Sequence, residues 1–302
     1  MTRPQLPLLC LLRLLPSLPL CILVLTLGCR SADTVVVGSK NFTESIVLGE
    51  IVAQQLERHG IQVDRRLNLG GTFICHNAIV SEQLDIYVEY TGTAYTAILE
   101  LSGERDPTRV FAVVDSVYAE RWGISFADPL GFNNTFAMLI RGSDARQLGI
   151  ASLTDALPHA ELWRLGAGYE FIERADGYRG LMDHYGFVFA AAPMELDLGL
   201  TYRALSEGRV DMIAGNATNG LIDALDLFHL DDDKGYFPPY EAVPIVRSEV
   251  LERVPGVRAA LEELAGKLSE STIRHLNYRV DVERVAVEDV AAEFLTTIER
   301  GG

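Results

Sequence analysis

The segment SKNFTE at residues 39–44 places a lysine at the predicted start of a helix. Asn41 followed three residues later by Glu44 matches a capping box, which predicts that the helix begins just after Lys40. Free N–H groups at a helix N-terminus attract anions, and an ammonium group beside them adds to that attraction. Lys40 is therefore a candidate contact for a carboxylate.

The segment VEYTGTAY at residues 88–95 repeats this arrangement with an aromatic residue. Tyr90 is predicted to end a strand, and Thr91 or Thr93 is predicted to cap the helix that follows. Gly92 allows the backbone to approach a ligand closely because it has no side chain. An aromatic face can hold a quaternary ammonium by cation–π attraction of roughly 0.5 to 2 kcal/mol per ring, so such a site needs several rings.

Further candidates lie at loops after predicted strands in the second half of the chain. Phe136 belongs to GFNNTFAM, Asn216 belongs to AGNATNG, and Tyr240 belongs to FPPYE. Arg174 precedes a predicted helix and can form a forked hydrogen-bond pair with a carboxylate. Each residue also has an ordinary interpretation, since Phe136 fits a core position and Asn216 a turn. Their shared position after predicted strands favours a binding site, because ligand crevices of open α/β sheets lie beyond the strand ends.

The sequence contains no comparable signature of catalysis, metal binding or cofactor binding. Its histidines are scattered, and it has no HExxH motif, GxSxG elbow or phosphate-binding glycine loop. We therefore predict that the protein is not an enzyme and has neither a metal nor a cofactor. Cys75 is predicted to be a buried structural residue, since a lone Cys beside a His lacks further ligands.

Short β-branched runs alternate with helical patterns from Thr34 onwards, which predicts an α/β fold built from parallel βαβ units. A helix is predicted where Val110, Val114 and Tyr118 recur at helical spacing. Strands are predicted at TFAMLIR, RLGAG, FVFAAAP and VDMIAG. The acidic, proline-containing segment around residues 231–246 is predicted to cross between two lobes.

The first 28 residues resemble a lipoprotein-type signal peptide, with Arg3 and Arg13 ahead of an apolar run that ends in small residues before Cys29. Cys29 would then be the lipidated first residue of the mature protein, although Thr26 is atypical of a lipobox. Removing both arginines leaves 24 basic residues against 42 acidic ones and a formal charge of −18. That charge makes nucleic acid an unfavourable partner.

Five segments together resemble one family: VGSKNFTES, VEYTGTAYTAIL, GFNNTFA, DGYRGL and FPPYEAVPIV. The family is that of the osmoprotectant substrate-binding proteins of bacterial ABC importers, the glycine betaine, choline and carnitine binders of the ProX, OpuC and OsmF type. The resemblance covers nearly all of the mature chain, in order. It implies a type II periplasmic-binding-protein fold, in which two α/β lobes joined by two crossover segments close on a ligand in the cleft.

The resemblance also implies roles for individual residues. Three would contact a ligand carboxylate: Lys40, Thr93 and Arg174. Three would form walls of an aromatic box: Tyr90, Phe136 and Tyr240. Asn216 stands where many relatives have an aromatic residue, and Asn219 stands where they have an aspartate. One wall of the box would then be an amide, which weakens the binding of a methylated ammonium by about 1 kcal/mol, roughly fivefold in affinity.

The expected lobes are residues 34–134 plus 240–302 and residues 135–239. The expected protein is an exported monomer, periplasmic or at the cell surface and anchored through lipidated Cys29, that delivers its solute to ABC permease and ATPase subunits. One alternative keeps the fold but binds another zwitterion or an amino acid through Asn216 and Asn219. A second alternative is a ligand-sensing lobe that signals to a membrane partner.

Overall fold

The computed structural model describes residues 34–301, which fold around two five-stranded sheets. The strands of this range are β1 (Thr34–Lys40), β2 (Gln62–Gly70), β3 (Ile86–Tyr90), β4 (Ile124–Phe126), β5 (Phe136–Arg141), β6 (Leu165–Ala167), β7 (Met194–Glu195), β8 (Met212–Asn216), β9 (Leu227–His229) and β10 (Ala242–Arg247). The predicted signal peptide and the predicted lipidation site at Cys29 lie outside the described residues.

The two sheets have the strand orders β2-β1-β3-β10-β4 and β7-β6-β8-β5-β9. We call the parts of the structure around them the first and the second lobe. The chain crosses between the sheets twice, after β4 and again before β10. The predicted parallel units are present, since β1 pairs in parallel with β2 and β3, and β6 with β7 and β8. The sheets also contain antiparallel pairs that the sequence did not predict, because β10 runs antiparallel to β3 and β4, and β5 runs antiparallel to β8 and β9. These antiparallel strands follow the crossings, where the chain enters a sheet from the other lobe.

Helices cover both faces of each sheet. They are α1 (Thr43–Arg58), α2 (Thr72–Val80), α3 (Thr91–Thr93), α4 (Pro107–Trp122), α5 (Gly142–Leu148), α6 (Leu153–Ala160), α7 (Tyr169–Glu173), α8 (Tyr178–Tyr185), α9 (Leu198–Ser206), α10 (Leu221–Ala224), α11 (Ser248–Arg253), α12 (Gly256–Glu262), α13 (Glu270–Asp281) and α14 (Val287–Gly301), and a π-helical stretch at Ala94–Ile98 continues α3. None of the helices in this range is both long and apolar enough to cross a membrane.

The valines of β1 show why its run is apolar throughout. Val35 and Val37 belong to the core on one face of the first sheet, whereas Val36 belongs to the core on the other face. A strand covered on both faces has no polar side, so its sequence does not alternate. The helix predicted around residues 110–118 is confirmed as α4, whose Asp106 cap accepts a hydrogen bond from the Arg109 N–H at 3.0 Å.

The strand predicted at residues 187–193 is absent, and the short strand β7 follows it instead. Phe187 packs in the core of the second lobe without joining a sheet, and its ring stacks on Phe189 with centroids 5.4 Å apart. The apolar character of this segment therefore reflects side-chain packing rather than strand pairing.

Candidate functional site

A cavity of about 650 Å³ lies at the strand ends of both sheets, and all seven predicted ligand-binding residues line it. The seven are Lys40, Tyr90, Thr93, Phe136, Arg174, Asn216 and Tyr240. Its volume falls within the ordinary range for small-molecule sites. The lining comes from both lobes, as expected for a ligand enclosed between two α/β units.

Strand register explains why residues far apart in the chain meet here. Lys40 and Tyr90 are the last residues of β1 and β3, and Ala242 pairs with Tyr90 across the antiparallel ladder. The same ladder therefore brings Tyr240, two residues before Ala242, to the cavity. In the other sheet, Phe136 begins β5 directly opposite Asn216, the last residue of β8.

The aromatic lining extends beyond the predicted rings. Phe136 meets Phe171 and Tyr240 edge to face, with centroids 5.0 Å and 5.8 Å apart. Phe42 stacks on Tyr90 with centroids 6.3 Å apart. Sequence reasoning missed Phe42 and Phe171, although Phe42 stands inside the SKNFTE segment between Lys40 and the first helix.

Lys40 is buried and already paired within the protein. Its Nζ forms an ion pair with the buried Glu89 carboxylate and donates to Thr72 Oγ1 at 3.0 Å. The same nitrogen lies 5.3 Å from the centroid of the Tyr90 ring. The lysine predicted to meet a ligand carboxylate thus also has an internal carboxylate partner that holds it in place.

Arg174 has the same kind of partner. Its Nε and Nη2 donate to the two oxygens of Asp176 at 2.9 Å and 2.6 Å, while Nη1 donates to Thr93 Oγ1 at 3.3 Å. Burial on its own would raise the pKa of Asp176, but the Arg174 charge and hydrogen bonds hold it below the usual range. The guanidinium carbon lies 5.0 Å from the Phe136 centroid. Both basic residues are therefore charge-balanced and lie against rings of the cavity.

Tyr90 and Tyr240 donate their hydroxyl groups to buried carboxylates. Tyr90 Oη donates to Glu44 Oε1 at 2.7 Å, and Tyr240 Oη donates to Asp176 Oδ2. Burial, with a carboxylate next to each ring, raises the pKa of both phenols well above the usual value. The rings are thus fixed in orientation and remain neutral phenols.

The predicted capping box at Asn41 and Glu44 is wrong. Helix α1 begins at Thr43, with Phe42 as its cap residue and no side-chain capping bond. The Glu44 carboxylate is instead buried and accepts four hydrogen bonds from other segments, so tertiary contacts outweigh the local motif.

The predicted threonine cap is also wrong. Tyr90 occupies the cap position of α3 and no side chain caps the helix. The hydroxyl of Thr91 donates to the Pro239 carbonyl at 3.1 Å and accepts from the Glu241 N–H at 3.0 Å. Thr91 therefore fastens the strand end to the segment that carries Tyr240.

Two other residues considered from the sequence do not line the cavity. Asn219 lies two residues before the first residue of α10, and its Oδ1 accepts a hydrogen bond from the Leu221 N–H at 2.9 Å. It borders a smaller neighbouring cavity of about 350 Å³. Phe132 is buried in the core of the first lobe and supplies no replacement ring. Asn216 is therefore an amide at the cavity wall, without a compensating aromatic residue from Phe132.

Hydrogen bonds join the two lobes around the cavity. Glu170 accepts from the backbone N–H and from the hydroxyl of Thr72, the latter at 3.0 Å. Thr96 donates to Asp176 at 2.7 Å. These contacts connect α7 and the segment after it in the second lobe to α2 and the π-helical stretch in the first, so the two lobes are in direct contact beside the cavity.

Two α/β lobes, two crossings and a cavity at the junction define a type II periplasmic binding protein. Comparison with known families identifies the family within this class. The model for the substrate-binding domain of ABC-type glycine betaine transport systems matches residues 33–297. The chain belongs to this family, whose members are extracytoplasmic substrate-binding proteins of transporters and not enzymes.

Three similar proteins are about one-third identical to this chain over the aligned residues. The glycine-betaine-binding protein of Pseudomonas aeruginosa is 34% identical over 94% of this chain and 94% of its own length. The ergothioneine transport permease/ergothioneine binding protein EgtU of Helicobacter pylori is 34% identical over 86% of this chain, which spans 47% of that longer protein. The crystal structure of a glycine betaine/carnitine/choline ABC transporter protein superposes with a TM-score of 0.74 at 31% identity, covering 87% of this chain and 98% of the other.

Proposed function

We propose that this protein captures a small solute with a quaternary ammonium group in the cavity between its lobes and delivers it to an ABC permease. The observation that supports this most strongly is the meeting of aromatic rings from both lobes, Tyr90, Phe136, Phe171 and Tyr240, around one cavity. A methylated ammonium cannot donate hydrogen bonds, so ring faces are its natural protein contacts. Solute-binding relatives named for glycine betaine and carnitine share this family.

In this proposal, Tyr90, Phe136 and Tyr240 surround the ammonium group, and Lys40, Thr93 and Arg174 hold a carboxylate where the solute has one. The internal ion pairs of Lys40 and Arg174 do not exhaust their donors, since an ammonium has three and a guanidinium five. The Thr93 hydroxyl beside Arg174 Nη1 marks the position where a ligand carboxylate would replace the internal contact.

A larger betaine is the second candidate solute. The cavity wall at Asn216 offers an amide that can both donate and accept hydrogen bonds. A solute with a further polar group, in addition to its ammonium and carboxylate groups, would use it, whereas glycine betaine and choline each have a single polar group beside the ammonium. One relative of this chain is named for ergothioneine, a betaine with a polar ring.

Titration calorimetry with glycine betaine, choline, carnitine, proline betaine and ergothioneine tests the proposal. We expect at least one saturable ligand with one site per chain. Mass spectrometry of solute retained through purification provides an independent readout. An absence of binding across the whole panel, together with a retained solute that has no quaternary nitrogen, would overturn the proposal.

We further propose the lobe limits stated above, residues 34–134 plus 240–302 and residues 135–239, and a monomer anchored through lipidated Cys29. The limits are supported by the two points at which the chain passes from one sheet to the other, after β4 and before β10. Metabolic labelling with a fatty acid, compared between the native protein and its Cys29→Ala variant, tests the anchor.

A further inference from the structure

Glu44 is a buried carboxylate that has no basic partner among the residues that the structure describes. It is 3% exposed, and within residues 34–301 its hydrogen-bond partners are neutral. Four donors from four segments surround it: Tyr90 Oη at 2.7 Å, Asn134 Nδ2 at 2.7 Å, Asn277 Nδ2 at 3.0 Å, and Thr218 Oγ1. By contrast, the buried carboxylates Glu89 and Asp176 are each paired with a cation.

An unbalanced buried charge is costly, and the surroundings of Glu44 show that cost. Burial raises the pKa of Glu44 above its usual range, although the hydrogen bonds from Thr218, Tyr90, Asn277 and Asn134 oppose the rise. An acid that served only to connect segments would be replaceable by an amide, which costs less to bury. Four donors on its two oxygens are the arrangement of an ionised carboxylate, and a bound cation would balance that buried charge.

Tyr90 connects this carboxylate to the cavity. Its hydroxyl donates to Glu44 and its ring lines the space in which the proposed solute lies. A carboxylate that accepts from a phenol increases the negative charge on the ring and so strengthens its attraction for a cation. Glu44 also acts directly, since Coulomb attraction in a buried site extends well beyond contact distance.

We propose that Glu44 is the counter-charge of the bound quaternary ammonium, acting from behind the Tyr90 ring. This inference rests on the proposed function, because it requires that the solute carry a permanent positive charge. Glu44 is then a specificity-determining residue that favours a cationic head over a neutral group of the same shape.

The Glu44→Gln variant tests the role of the charge while preserving the shape of the side chain. The introduced amide can be accommodated, because Asn134 Oδ1 has no hydrogen-bond partner within residues 34–301 and Asn134 can turn its amide to accept. Binding of choline and of its neutral carbon isostere, 3,3-dimethylbutan-1-ol, is measured for the wild type and the variant, and the same comparison is made for glycine betaine and 3,3-dimethylbutanoate.

We expect Glu44→Gln to reduce the preference for the quaternary-ammonium member of each pair by roughly 30-fold, as Coulomb attraction between unit charges about 8 Å apart at an effective dielectric constant of about 20 implies. The matched control is Thr218→Val, which removes a hydrogen bond to Glu44 and a contact between the lobes but leaves the carboxylate. At a pH where Glu44 stays ionised in this variant, it should weaken both members of a pair alike and so preserve their ratio.

The pH dependence gives a second readout. A cation binds better to ionised Glu44, so wild-type affinity should fall as the pH falls through the raised pKa of this residue. Tyr202 is an ionisable group near Glu44. The adjoining cavity is lined by four more: Asp197, Arg203, Asp281 and Arg284. Lys40 and Glu89 lie beside Tyr90. Burial raises the pKa of Asp281 too. The effect of Asp281 on the pH dependence of binding would persist in Glu44→Gln, whereas the effect of Glu44 would vanish.

The possible failures are distinguishable. If the wild type binds no quaternary ammonium compound, the proposed function fails and this inference fails with it. If the wild type binds one and Glu44→Gln keeps both the ratio of affinities for the ammonium compound and its carbon isostere and the pH profile, the inference alone is wrong. Thermal unfolding of the variant without ligand monitors the fold, and we expect a melting temperature at neutral pH at least equal to that of the wild type, because a buried charge has been removed.

Discussion

Substitutions of Tyr240 can separate the effect of its ring, which is proposed to contact the solute, from the effect of its hydroxyl, which supports the site. The side chain is 2% exposed, its ring lies 5.8 Å from Phe136, and its hydroxyl donates to Asp176. Tyr240→Phe removes only the hydroxyl, whereas Tyr240→Leu also removes the ring. The two variants should therefore differ in affinity for a quaternary ammonium.

The expected magnitudes follow from these contacts. In Tyr240→Phe, Asp176 keeps two bonds from Arg174 and one from Thr96, so the loss is a single charge-assisted hydrogen bond of about 1.5 to 3 kcal/mol in stability. The ring remains, and affinity should stay within about threefold. In Tyr240→Leu, the loss of one cation–π contact of about 0.5 to 2 kcal/mol lowers affinity by a further factor of roughly 2 to 30.

Titration calorimetry measures the affinities, and urea unfolding measures the stabilities. Phe132→Leu is the matched control, because Phe132 is a buried ring of the same core that does not line the cavity. It should lower the free energy of unfolding and leave affinity unchanged. Equal affinities of the phenylalanine and leucine variants at position 240 would refute a ring contact with the solute.

Three further predictions follow from the packing around the cavity. Gly92→Ala should lower both stability, by about 1 to 3 kcal/mol, and solute affinity, because its new methyl group would lie 2.7 Å from the Tyr240 ring; an unchanged urea midpoint and affinity would contradict this. Glu89→Gln should cost about 3 to 5 kcal/mol in urea unfolding, since it leaves Lys40 buried without its counter-ion; a loss under 1 kcal/mol would show that the pair contributes little. Cys75 should resist thiol reagents at pH 8 until the protein unfolds, since burial raises its pKa to about 12; rapid labelling of the folded protein would disprove its burial.

The fold was predictable where the sequence pattern is local and strong. The valine run of β1 and the helical spacing of Val110, Val114 and Tyr118 each correspond to an element whose core face matches the pattern. The direction of β10 was not predictable in this way, because a strand that returns from another lobe carries no local sign of its orientation. The strand predicted at residues 187–193 was wrong for a related reason, since a loop that packs into the core and a paired strand have similar runs of apolar residues.

For the candidate site, the cavity lining was more predictable than the charge partners. Tyr90 and Lys40 stand at strand ends, and position alone identified them. Glu89 was not identified as the partner of Lys40, although it is adjacent to Tyr90, because the pairing joins residues 49 positions apart. Asn277 lies 233 positions from Glu44, and no local pattern connects the two. A short motif such as NFTE therefore suggested a helix cap for an acid that the tertiary structure uses elsewhere.

A crystal structure with a bound quaternary ammonium solute tests the central claim most directly. The account predicts that the quaternary nitrogen lies within about 6 Å of the ring centroids of Tyr90 and Tyr240, with a third ring, Phe136, completing the enclosure. A nitrogen that lies outside the cavity, or inside it but in contact with neither tyrosine ring, would contradict the account.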